Sequence, residues 1–487
     1  MLDMSEMHVE AAQRALTEFR REISSMGSDA IDLLAVERRV QELTNAYGCA
    51  LMREVMACAD ASAPEITING EAWGNRRVTP GTYETVFGDV EMERATYQRS
   101  GRGRIAIPLE LRLGIVEGAY TPRVARILTK AVALMPEAEA EDLLGEVGVA
   151  KVSKSTLHRI PRAIASRYES RREVIEQALR ARDPIPEQTA TIQVALDGVM
   201  VPQDGEHARA RGRKTDDPDP PRHEQRYGYV GPEPPASTDG TLGRAWHEAS
   251  VGTVAFFDAE GNRLKTTYLA RMPEPFKATL TAGLEAEMLA VLDERPEINI
   301  CFASDGAAPQ WTALETMRSR LPASATGHRM ALVDAFHVAE YVQLAANAVE
   351  GEKTSGAKIL AATWRETIKE ETNGVPRVLR AMRSRRTKAS TKTARKDLKR
   401  GIDYIAHQHK LGRMNYPEAL ARNYPIGTGV TEAAAKTVVG TRMKRAGARF
   451  SQHGGQTVML FRSAILSARF DSLHQELHAT YTASIAA

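Results

Sequence analysis

Cysteine is nearly absent from this chain. Cys49, Cys58 and Cys301 are the only three in 487 residues. An odd, scattered set argues against a disulfide framework and fits a reducing cytoplasm. No two of them form a Cys-x-x-Cys pair, so no zinc ribbon or finger is visible. Long apolar runs are missing too. No stretch of 18 apolar residues occurs, which excludes a membrane span from the expected partners. Residues 1–10 are acidic and lack an apolar signal core, so the expected location is cytoplasmic, in a chain of bacterial style. Charge of one sign is also scarce: 65 Lys and Arg offset 62 Asp and Glu, for a net +3. Whole-chain charge therefore says little about partners.

What is present is apolar bulk, 43% of the residues, in a chain long enough for two to four domains. The periodicity changes along it. Residues 5–60 repeat apolar positions at helical spacing, with a break at Ala63-Pro64. Residues 82–87 and 90–97 alternate around Gly88-Asp89, a hairpin signal. Arg99-Ser100-Gly101-Arg102-Gly103-Arg104 is a basic turn. Helical patterns return at 124–135, 137–147 and from Ser153. Pro161 is expected to interrupt the third before it continues over 163–182. Strand patterns then occupy 191–196, 246–257, 263–269, 298–303 and 330–333, with a helix over 276–293. A polar, Pro- and Gly-rich loop over 204–239 separates the first two. Residues 338–424 are helical throughout, two more helices run to about residue 470, and the tail to residue 487 is weakly patterned. The expected segments are 1–115 (helices plus a β-hairpin), 116–185 (helical), 186–340 (first part of an α/β core), 341–424 (an all-helical insertion) and 425–487 (the closing helices of the core).

Three acidic residues fall at informative places. Asp197 ends the apolar run 192–196 and is followed by Gly198. Asp305, in Ser304-Asp305-Gly306, ends the run 298–303. Glu432 follows a glycine turn over 425–430 and opens a helix. Strand ends and helix starts let carboxylates from distant segments converge, and converging carboxylates suit divalent cations that activate water or hydroxyls for phosphoryl transfer. Taken singly, each has an ordinary reading. Asp-Gly is a common hairpin turn, and a first-turn glutamate complements the helix dipole. Their order raises their meaning: a strand, two hairpin strands, a helix, a fourth strand, a fifth strand and an acid-bearing helix is the element order of an RNase H-like mixed sheet. Asp334 and His337 follow the fifth strand, and three roles stay open for them: a brace for a metal site, an alternative second acid, or a helix cap with a structural histidine.

Two segments carry nucleic-acid signals. Residues 377–400 hold eleven basic residues, among them Arg383, Arg385, Arg386, Lys388 and Lys392, against one acid, Asp397. Such a run can be a solvated face or a set of phosphate contacts. Residues 121–160 read either as a helix-turn-helix, with Ser155, Thr156 and Arg159 on its recognition helix, or as a packed helical bundle. Trp311 is either a base-stacking platform or a core aromatic.

From residue 80 to about 470 the chain resembles the DDE transposases of bacterial insertion sequences, of the ISKra type. The resemblance lies in Ala195-Leu196-Asp197-Gly198, in Ser304-Asp305-Gly306-Ala307 with Trp311, and in Val333-Asp334-Ala335-Phe336-His337-Val338-Ala339-Glu340-Tyr341. It lies also in Pro425-Ile426-Gly427-Thr428-Gly429-Val430-Thr431-Glu432-Ala433, continuing through Arg442-Met443-Lys444-Arg445-Ala446-Gly447 and Gly454-Gly455-Gln456. It implies an RNase H-like catalytic core with a large all-α insertion, preceded by a mainly helical region with a β-hairpin. Asp197, Asp305 and Glu432 would be the catalytic acids and the ligands of two Mg²⁺ ions, with Mn²⁺ able to substitute. Asp334 and His337 would assist them. The implied activity is cleavage at insertion-sequence ends and strand transfer into target DNA. The implied partners are double-stranded DNA, both terminal inverted repeats and target, and further copies of this chain on DNA, as a homodimer or larger. Arg442, Lys444 and Arg445 would join the DNA contacts. Other readings are an inactive DNA-binding regulator and a nuclease of the same fold. Many relatives carry cysteine pairs where this chain has residues 97–104 without one, so a zinc-stabilised module is not expected here.

Overall fold

The computed structural model describes residues 2–25, 32–99, 103–148, 152–204, 244–448 and 450–486. Most of the polar loop expected over 204–239, and the centre of the basic turn at 99–104, lie outside them. Two compact units result. One comprises Met1–Ile175 and Phe470–Ala487; the second takes up the described residues from Glu176 to Arg469. Among the described residues, no helix is long and apolar enough to cross a membrane.

The first unit begins with helices Leu2–Ser25 and Leu33–Cys58, followed by strands β1 (Ile66–Ile68), β2 (Glu71–Thr85), β3 (Gly88–Gln98) and β4 (Ile105–Ala106). The hairpin joining β2 and β3 pairs Thr85 with Gly88, so its tip is Val86-Phe87 and not the expected Gly88-Asp89. Helices Pro122–Leu134, Glu137–Val147 and Lys154–Ser170 pack on one another. The last runs through Pro161 without a break and ends at Arg171, against expectation. An interior proline costs about 3 kcal/mol, but Ile160, Ala163 and Ile164 around it are all buried, and their packing opposes that cost. Residues 470–487, weakly patterned in sequence, also belong here. Helix Phe470–Ala479 packs against Lys154–Ser170, and strand Ile485–Ala486 adds to the edge of β1. A two-residue strand is too short for periodicity to reveal, and its partner lies some 400 residues away.

In the second unit, strands β5 (Thr191–Asp204), β6 (Arg244–Phe257), β7 (Arg263–Arg271), β8 (Asn299–Ser304) and β9 (Arg329–Val333) form one mixed sheet in the order β7-β6-β5-β8-β9. The pairs β7/β6 and β6/β5 are antiparallel; β5/β8 and β8/β9 are parallel. Side-chain alternation explains the two faces of β5. Ile192, Val194 and Leu196 enter the main core cluster, while Gln193, Ala195 and Asp197 point the other way. Helices Ala278–Glu294 and Ala308–Ser319 return the chain between strands. Helices Ala335–Glu350, Ser355–Glu370, Gly374–Ser384, Lys392–Lys410 and Tyr416–Ala421 then form the insertion. Trp311 is buried, with the Arg413 guanidinium 3.8 Å above its ring, so it is a core aromatic rather than an exposed stacking platform.

Candidate functional site

Asp197 does not end its strand. β5 continues to Asp204, with Asp197 opposite Val251 and Gly198 opposite Ser250 on β6. The Asp197-Gly198 pair is therefore no turn. A Cβ at Gly198 would overlap the end of the Glu248 side chain, which would have to move aside. What ends at this level is the parallel pairing with β8. Ala195 pairs with Ala303, and Ala303 with Leu332. Two residues further along each chain stand Asp197, Asp305 and Asp334. Three aspartates thus share one level just past the end of the parallel pairing of β5, β8 and β9, at the kind of edge where open α/β sheets place their ligands.

Each side chain is held locally. Asp197 Oδ1 accepts the Gly198 N–H at 2.7 Å. Asp305 Oδ1 accepts the Ala307 N–H at 2.9 Å and the Ser304 hydroxyl at 3.3 Å. Gly306 turns the chain here with φ +101°, and an added Cβ would lie 2.5 Å from the Tyr404 hydroxyl. Both the left-handed backbone and the close approach require glycine.

Asp334 is buried and fully committed. Its Oδ1 accepts the N–H groups of Phe336 at 2.6 Å and His337 at 3.3 Å, capping helix Ala335–Glu350. Its Oδ2 accepts the Thr428 N–H at 2.8 Å and also the Thr428 hydroxyl. Of the three roles open in the sequence, the helix cap is the one seen; Asp334 also anchors the turn before Glu432. That turn has two more anchors on the sheet. Gln193 Nε2 donates to the carbonyls of Pro425 and Gly427 at 3.3 and 3.0 Å. The hydroxyls of Thr253 and Thr431 share a buried hydrogen bond of 2.7 Å. Glu432 follows in helix Gly429–Ala434, its N–H on the Thr428 carbonyl at 2.9 Å. Its carboxylate is 61% exposed, with Lys436 at 4.0 Å.

The carboxylates feel one another. Burial, first, and then the charges of Asp305, Glu432 and Glu248 push the Asp197 carboxyl up to about 6, opposed by the Gly198 N–H. Glu248 is an acid that sequence reasoning missed. It sits on β6 opposite Met200, beside Gly198, and Lys277 Nζ meets it at 2.5 Å. No local motif marks it; only strand pairing brings it to the site.

Carboxylate oxygens are the donors that Mg²⁺ and Mn²⁺ prefer, and the Asp197 carboxyl, buried beside other acids, is raised chiefly by burial and then by their charge. The donor chemistry therefore fits a divalent ion. Among the described residues, however, no group of three or more His, Cys, Asp or Glu is gathered so as to hold one; the acids share a field without forming a shell. One consequence is measurable. An ion held by Asp197 would have to displace its proton below about pH 6, so Mn²⁺ affinity should be flat above pH 7 and fall about tenfold per pH unit below 6. Calorimetric titration at pH 5 to 8 checks this, and a pH-independent affinity would remove Asp197 from the ligands.

The other expected residues are dispersed. His337 lies edge-on to the rings of Tyr341 and Tyr404, at 5.5 and 5.8 Å, with Nδ1 3.4 Å from Glu340. Arg383, Arg386, Lys388 and Lys392 are exposed on the insertion; Lys388 pairs with Glu350 at 3.3 Å. Arg385 is half-buried, 5.9 Å over Trp364. Lys444 and Arg445 are exposed, but Arg442 is buried against Phe450, so it faces the protein interior rather than a solvent-side phosphate. In the first unit, Ser155 is exposed. Thr156 and Arg159 both turn to the Tyr120 hydroxyl, at 3.4 and 3.2 Å.

No family model matches the chain, and no curated protein is similar to it. Among solved structures, the Mos1 transposase paired-end complex with left transposon end is similar over 65% of this chain and 79% of that one, at 13% identity and a TM-score of 0.14.

Proposed function

We propose that the chain is a DDE-type DNA transposase with an RNase H-like core, which cleaves DNA at insertion-sequence ends and joins them to target DNA. The observation that carries this reading is the shared level of Asp197 and Asp305 on adjacent parallel strands, with a thrice-anchored turn delivering Glu432 into the same electrostatic field. The sheet order, with its central strand antiparallel on one side and parallel on the other, supports the fold.

Asp197, Asp305 and Glu432 would hold two Mg²⁺ ions, or Mn²⁺. When bound, these ions supply the Lewis acidity that activates a water or a 3′-hydroxyl and stabilises the leaving oxygen. The chain's own residues do the rest. The N–H groups of Gly198 and Ala307 fix one oxygen each of Asp197 and Asp305, leaving the others for the ion. Cleavage and joining are both in-line attacks on a phosphodiester, so one site serves both and no covalent protein–DNA intermediate is required. Double-stranded DNA would be held by the basic insertion, and the working form would be a homodimer or larger on DNA.

The test is a Mg²⁺-dependent cleavage assay on a donor bearing matched inverted repeats, compared with random DNA. Cleavage at the repeat boundary supports a transposase. Equal cleavage of both substrates indicates a nuclease, and binding without cleavage an inactive regulator.

The insertion gives a second expectation. Arg383, Arg386 and Lys392 are exposed, so reversing them to Glu should leave the fold intact. Phosphate contacts act through charge and counterion release. Terminal and random DNA should therefore bind more weakly alike, and the slope of log K on log salt should flatten by about one unit per lost contact. An unchanged slope in a folded variant would make the run a solvated face.

A further inference from the structure

Asp305 is supported from outside its own strand. The Tyr404 hydroxyl, on helix Lys392–Lys410 of the insertion, donates to the Asp305 carbonyl at 2.8 Å. Its ring stacks on Tyr341 with centroids 3.7 Å apart and planes 6° from parallel, and His337 meets both rings edge-on. The Arg400 guanidinium lies 5.5 Å from the Tyr341 ring. Tyr404 also closes over Gly306, where a single added methyl would meet its hydroxyl.

We propose that Tyr404 is a positioning residue: its hydrogen bond to the Asp305 carbonyl, held by the Tyr341 stack, fixes the Asp305-Gly306-Ala307 turn that aims the Asp305 carboxylate. The inference rests on the reading of Asp305 as a metal ligand. It assigns the helical insertion a second task besides DNA contact, that of bracing the sheet-edge acid. The stack joins helix Lys392–Lys410 to helix Ala335–Glu350 through half-buried aromatic rings, with His337 edge-on to both.

The test uses the full chain. Tyr404→Phe keeps the ring and the stack but loses the donor, and Tyr341→Phe keeps both stack and donor. Mn²⁺ binding is followed by calorimetry without DNA, and amide exchange is followed at Gly306 and Ala307. Tyr404→Phe should weaken Mn²⁺ binding about fivefold and speed exchange at these two amides, for one lost hydrogen bond. Melting should change little, and Tyr341→Phe should match the wild type. Unchanged affinity and exchange in a folded Tyr404→Phe, with Asp305→Asn still impairing binding, would overturn the role of Tyr404 alone. If Asp305→Asn binds Mn²⁺ as the wild type does, the metal reading fails and the proposal with it.

Discussion

Replacing Asp197, Asp305 or Glu432 by Ala should abolish DNA cleavage and strand transfer while leaving DNA binding in place. Charge stabilisation at a metal site is worth several kcal/mol, and each 1.4 kcal/mol is tenfold in rate, so a loss of roughly 10³-fold or more is expected from each variant. Binding should persist because the exposed basic residues lie on other elements. A folding control is available for Asp197. Its carboxyl is raised in the folded state to about 6, so its stability contribution is complete below the ordinary carboxylate range and is lost as pH rises through 6. At pH 8 without divalent ions, ionised Asp197 therefore strains the fold, and Asp197→Asn should melt higher than the wild type, by the order of 1–3 kcal/mol. An inactive variant that is more stable than its parent cannot owe its inactivity to unfolding. Near-normal cleavage in any of the three Ala variants removes that residue from the site.

Asp334 should behave differently, because its oxygens are already spent. Asp334→Ala strands the Thr428 N–H and hydroxyl and uncaps helix Ala335–Glu350. Buried donors left unpaired cost about 1–3 kcal/mol each and a lost cap about 1, so about 3–7 kcal/mol of stability should disappear, read by thermal or urea unfolding. Asp334→Asn keeps acceptor oxygen and shape and should lose less. It should retain measurable cleavage and Mn²⁺ binding, because Glu432 is displaced rather than removed. If Asp334→Asn is as inactive as Asp197→Ala while Asp305→Ala still cleaves, the second acid is Asp334.

The sequence made the acids legible but not their arrangement. Asp197 and Asp305 stand out because each closes an apolar run, and apolar runs are what a buried strand needs. That β5 runs on through Asp197-Gly198 is invisible locally, since the ladder that carries it belongs to β6, whose residues come much later in the chain. Glu248 is hidden for the same reason. The double duty of Asp334 could be suspected from its place before a helix, yet its hold on Thr428 spans 94 residues. Local propensity also misjudged Pro161, where burial of the neighbouring apolar residues overrode it. Arg442, basic and adjacent to Lys444 and Arg445, reads as a DNA contact until the fold buries it.

Crystals soaked in Mn²⁺ give the most direct test of a metal site at this sheet edge. Anomalous difference density should appear between Asp197, Asp305 and Glu432, with Glu432 turned in from solvent, and it should vanish in Asp305→Asn. Saturating Mn²⁺ with no density among these three carboxylates, or density that survives Asp305→Asn, would contradict it.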